Sequence, residues 1–116
     1  MNRCLSLLLA ASAILAVAPV RAAPVPSTTQ CAKQAVAQAK RLLDFHVGGD
    51  ERAQVPGPAR PLPSIANPAN AKQRFDVLEV MGYVYKGEYR MRLLYFRMRD
   101  GDCVLMGQEI LEHASL

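Results

Sequence analysis

The sequence predicts an α+β domain: one N-terminal amphipathic helix packed on a three-stranded antiparallel meander, in the order α-β-β-β. Three observations predict it. Residues 27–47 are rich in Ala, Lys, Gln and Leu, with apolar side chains at helical spacing. Residues 75–112 form three β-prone runs separated by Gly87 and by Asp100-Gly101. Residues 50–74 contain Pro56, Pro58, Pro61, Pro63 and Pro68, a density that opposes helix and central strand alike. With 116 residues and 51% hydrophobic composition, the chain has room for one small core.

The first residues read as an address rather than as fold. Met1-Asn2-Arg3 is a short positive start, and an almost uncharged apolar run extends from Cys4 to Val20. Val20-Arg21-Ala22 then places small residues as a signal peptidase requires, so residues 1–22 are expected to be a cleaved signal peptide. Cleavage after Ala23 would put Pro24 directly behind the scissile bond, which favours Ala22. Cys4 opens the apolar run, whereas a lipid-anchor cysteine would close it. The expected address is the periplasm or the exterior, with no stable membrane insertion after cleavage. Removing Arg3 and Arg21 leaves basic residues only two ahead of acidic ones. That balance gives no nucleic-acid footprint.

Two cysteines remain after the signal, Cys31 and Cys103. In an oxidising compartment two such thiols pair. The sequence has no C-x-x-C, and its only histidines are His46 and His113, so a structural disulfide is expected and no metal.

The helix is expected over 27–47, opened by a capping box of Ser27 and Gln30. Cys31, Ala35, Ala39, Leu42 and His46 share one face, widened by Ala32, Val36, Leu43 and Val47. Gly48-Gly49 supplies a left-handed stop. Phe45 falls on the polar side and is expected under the following loop. Residues 50–74 are read as a connector, anchored by Val55, Leu62 and Ile65 if it lies along the body. Strands are expected over 75–86, 89–99 and 103–112. Gly82 and Gly107 would mark bends or a close approach of the helix.

Reading Asp100-Gly101 as a two-residue hairpin loop fixes a register. Arg99 then faces Asp102, Phe96 faces Leu105, Arg92 faces Glu109 and Met91 faces Ile110. One side of the sheet gathers Phe75, Val77, Leu94, Phe96, Met98, Cys103 and Leu105. The bridge to Cys31 would pull the helix onto that side. The other side is apolar too: Leu78, Val80, Val84, Met91, Leu93, Tyr95, Met106 and Ile110, with Val104. One helix cannot cover both, so these residues are the expected interaction surface, closed by a partner or by a second copy of the chain. The converse placement, with the helix on that second side and the bridge reaching round an edge, would free the first. The far end of the first side gathers Tyr83, Tyr85, Arg90, Arg92, Glu79 and Glu109. It reads either as a site for anionic groups or as a solvated face with cross-strand ion pairs such as Arg92–Glu109.

Catalytic signals are sparse. No Gly-x-Ser-x-Gly, phosphate loop or zinc spacing occurs, and Ser27, Ser64 and Ser115 sit at a cap, between prolines and in the tail. No catalytic residue, metal or cofactor is expected. His46 reads as a last-turn residue favoured by the helix dipole. The order of helix, long connection and meander over 27–112 resembles that of cystatin-like modules, in which a helix packs across a curved antiparallel sheet. That resemblance implies an architecture alone. The expected function is therefore that of a small exported, disulfide-bonded, non-enzymatic protein acting through a sheet face, as a homodimer or as an inhibitor or immunity-type partner of an envelope protein. Two alternatives stand beside it: a carrier of a small apolar or anionic ligand lined by Met81, Met91, Met98 and Met106, and a small hydrolase or lyase using His46.

Overall fold

A computed structural model describes residues 12–19 and 23–113. Most of the expected signal peptide, including Cys4 and the cleavage position at Ala22, lies outside the described residues. Residues 12–19 carry no regular secondary structure, and Ile14, Leu15 and Val17 are fully exposed. No helix among the described residues is long and apolar enough to cross a membrane.

Among the described residues the body is α+β, with one helix, α1 (Ala32–His46), and four strands rather than three: β1 (Arg60–Asn67), β2 (Asn70–Val84), β3 (Gly87–Arg97) and β4 (Cys103–His113). They form one antiparallel sheet in the order β1-β2-β3-β4. The extra strand lies inside the region expected to be a connector. Pro61 and Pro63 do not prevent it: Pro63 falls in the bulge between Leu62 and Ile65, where the ladder to β2 is already interrupted, and residues 25–27 hydrogen-bond along the strand's outer side. Asn67-Pro68 begins the turn into β2, where Asn67 Oδ1 accepts the Ala69 N–H at 2.9 Å and Asn67 pairs with Asn70. The remaining connector lies along the body through buried Ala53 and Ala59 and part-buried Val55. Leu62 is half-buried within β1, and Ile65 is 43% exposed.

The helix begins five residues later than expected. Its N-cap is Cys31, with no side-chain cap, and the capping box does not form. Ser27 is needed elsewhere. Its buried hydroxyl accepts the Val77 N–H at 2.8 Å, at the start of the bulge in β1, where the carbonyl of Val77's partner Leu62 turns away to the Ser27 N–H. Gln30 instead donates through Nε2 to Gly101 O. The far end stops as expected. Gly48 and Gly49 have φ of 70° and 77°, and the Gly49 N–H reaches Asp44 O at 2.8 Å. Phe45 is 87% exposed and packs under no loop.

Cys31, Ala35, Ala39 and Leu43 form the buried stripe, each fully inaccessible. The two alanines let the helix approach closely. At Gly82 an added Cβ would lie 2.8 Å from Leu43 Cδ2 and 2.9 Å from Met91 Cε, which confirms the close approach at that glycine. Beneath the stripe lie Leu78, Val80, Met91, Leu93 and Tyr95.

The helix therefore covers the side expected to be the free interaction surface. The cause is one residue at the β3–β4 turn. Met98 N–H donates to Asp102 O and Gly101 N–H to Met98 O, making a three-residue loop with Gly101 at φ 95°. Arg97 then pairs with Cys103, and Tyr95 with Leu105. Each is one step from the two-residue register, and one step moves every side chain to the opposite face. Cys103 thus points to the helix side, where it is bonded to Cys31 with Cα atoms 5.8 Å apart. A bulge at Met106 adds one residue and restores the expected pairs Arg92–Glu109 and Met91–Ile110.

Candidate functional site

Leu78, Val80, Met91, Leu93 and Tyr95 are buried core, and Val84 and Ile110 pack against it. Of the expected interaction surface, Met106 is exposed at the bulge in β4, and Val104 is exposed because the register carries it to the opposite face. The surface left open is the reverse of the sheet. Phe75 and Val77 are buried there yet stand outside the core cluster beneath the helix. Leu62 pairs with Val77, Val77 with Leu94, and Phe96 with Val104, so these side chains make one apolar strip. Leu62, Leu94 and Phe96 are part-exposed and Val104 is exposed.

A charged cluster adjoins this strip. Glu79 on β2 is 7% exposed and is paired by Arg60 from β1, by Arg92 from β3 at 3.2 Å and by Arg90 at 4.0 Å. Arg92 also reaches Glu109 of β4 at 3.7 Å. Burial pushes the Glu79 carboxyl upward most strongly of any single influence. The hydrogen bonds from Arg60 and Arg92, together with their charges, outweigh it and hold the group below the usual carboxylate range. Three guanidiniums face two carboxylates, and the Arg60 side chain is 70% exposed. The cluster is thus a cross-strand ion network with spare cationic donors at its rim.

The expected polar site is partly assembled. Arg90, Arg92, Glu79 and Glu109 meet, and Tyr83 lies beyond them on the same face, 39% exposed. Tyr85 does not join them. It occupies the two-residue loop between Val84 and Gly87 at φ 53°, with Arg52 at 5.1 Å and Lys86 at 5.5 Å from its ring centre. Arg60 was missed because its strand was missed, and the Asn67-Pro68 turn was the signal that would have found it.

On the helix side a second buried carboxylate organises the start of the fold. Asp76 accepts from Thr28 N–H at 3.1 Å, from the Thr28 hydroxyl at 3.2 Å and from Arg97 Nε at 2.6 Å. His46 stands edge-on to Tyr89, with ring centres 5.6 Å apart. Burial, then the charge of Glu112, pushes the Tyr89 hydroxyl pKa up. No three metal-ligating side chains gather among the described residues. Nor do the four methionines surround one space: Met91 is core, Met81 is half-buried on the open face, and Met98 and Met106 are exposed. A shallow groove of about 650 Å³ runs elsewhere, between the helix at Ala32, Lys33 and Val36 and residues 56–59.

Comparison with protein-family models, with curated proteins and with solved structures gave no match. The disulfide fits an oxidising, extracytoplasmic environment, where such a bond persists.

Proposed function

We propose that this protein is a small exported, non-enzymatic docking protein that holds a protein partner on the sheet face opposite its helix. The observation that carries the reading is the apolar strip of Leu62, Leu94, Phe96 and Val104, which no helix among the described residues covers, lying beside an arginine-rich network. The helix already seals the opposite side, and the disulfide holds it there, so the open face is rigid and preorganised. Such a face suits a partner with an apolar centre and carboxylates at its rim. An inhibitor or immunity-type partner of an envelope enzyme is one form this function takes. Replacing Phe96 with a photo-crosslinking residue in the exporting cell tests the proposal, with Lys33 on the outer helix surface as the control. An adduct with one defined envelope protein at position 96 and none at position 33 is expected. Absence of an adduct at position 96, or the same adducts at both positions, would overturn it.

A further inference from the structure

The two edges of the sheet are treated differently. At the β1 edge, Pro61 and Pro63 interrupt the ladder, and the preceding chain pairs on, with Ser64 N–H donating to Val25 O and Ser27 N–H to Leu62 O. The β4 edge has none of these protections. It runs for 11 residues without Pro, Lys or Arg, and no described residue pairs with its outer side. Val104, Leu105, Met106 and Leu111 are 40%, 37%, 48% and 50% exposed along it. Its bulge at Met106 and its two glutamates are the blunting devices it carries, and neither covers its outer backbone groups.

We infer that β4 pairs antiparallel with β4 of a second copy about a two-fold axis at Gln108, joining two sheets into one of eight strands. The occupant is indicated by the strand's own pattern. Around Gln108, Val104-Leu105 on one side mirrors Ile110-Leu111 on the other, with the bulge residue Met106 as the one extra position. With Gln108 on the axis, Gly107 faces Glu109 of the second copy. Passing the bulge, Leu105 faces Ile110, and Val104 faces Leu111. The faces agree. Leu105 and Ile110 oppose Tyr95 and Met91 on the helix side, and Val104 and Leu111 oppose Phe96 and Arg90 on the open side. Apolar side chains meet apolar side chains on both faces, and the Glu109–Gly107 pairing keeps like charges apart. The pairing uses the backbone edge of β4 and shares only Val104 with the apolar strip of the open face, so it does not rest on the function proposed above.

The exported, oxidised protein is tested by sedimentation equilibrium. A dimer is expected. In the double variant Val104→Lys/Leu111→Lys, lysines lie directly opposite across the axis, twice by symmetry, and dimerisation weakens by at least about ten-fold. In Val104→Lys/Leu111→Glu the same positions carry opposite charges, and association returns to within about three-fold of the parent. Phe96→Glu on the open face leaves the dimer intact. Retained circular dichroism and an intact Cys31–Cys103 bond show that each variant folds. A monomer up to roughly 1 mM overturns the inference. So does a dimer broken by Phe96→Glu but indifferent to the lysine pair, and so does a lysine-broken dimer that the glutamate exchange fails to restore.

Discussion

Replacing Cys31 and Cys103 together with alanine removes a tie that spans 72 residues of sequence. The loop-entropy relation for a closure of this length gives about 15 cal/mol/K, or about 4 kcal/mol at 25 °C. Cys31 is fully buried beneath the helix, so the lost sulfur also leaves a small void worth about 1 kcal/mol. A small domain has a net stability of only about 5–15 kcal/mol, so the variant sits near the edge of folding. Urea denaturation followed by circular dichroism and tyrosine fluorescence measures the change, the chain having no tryptophan. With a slope of about 1–1.5 kcal/mol/M for a domain of this size, the midpoint should fall by about 3–5 M. Reduction of the parent protein keeps both sulfurs and should give the smaller shift of about 3–4 M that the loop term alone predicts. A fall of less than about 1 M would refute the reasoning. It would mean that the side chains of the α1 stripe hold the helix to the sheet without the covalent tie.

Three further outcomes are expected. Ser27→Ala leaves the Val77 N–H buried without an acceptor and should cost about 1–3 kcal/mol in the same urea assay, although it deletes a single oxygen. Gly82→Ala crowds Leu43 and Met91 in a filled core and should cost about 1–3 kcal/mol, read as a lowered melting temperature, whereas Gly107→Ala, where an added Cβ would meet Leu94 at 3.5 Å, should cost much less. Glu79 has a folded pKa below its ordinary value of 4.5. Its ion network therefore adds stability that is present above that value and lost as pH falls through the folded pKa. Glu79→Gln should be less stable than the parent at pH 7, and the gap between the two should narrow in melts taken at successively lower pH. A constant gap would count against the network.

Much of the arrangement was legible because alternation and helical spacing are local properties. The residues that share each sheet face were assigned correctly on β2 and β3, down to the doubly apolar character that one helix cannot satisfy. The α1 stripe was legible for the same reason over Cys31, Ala35 and Ala39, although Leu43 is buried where Leu42 was expected and His46 is exposed; the glycine stop at Gly48 and the pairing of the two cysteines were legible too. Ser27 was not. Its sequence context describes a helix cap, and only the bulge in a distant strand gives its hydroxyl a stronger claim. β1 was hidden because proline counts against strands in general, while its cost falls at a bulge or near a sheet edge, and both are tertiary properties. Arg60, and with it the full ring around Glu79, went with that strand.

The sequence by itself determined two apolar faces, one covering helix and one covalent tie. Which face the helix takes was decided only in three dimensions. The decision rests on whether the turn after Met98 holds two residues or three, a difference of a few degrees of freedom around Gly101. Because strand side chains alternate with a period of two, that single residue sends Cys103 to the opposite side and carries the helix with it. Local preference describes each strand well, but the choice between its two faces belongs to the partners that the turn brings together.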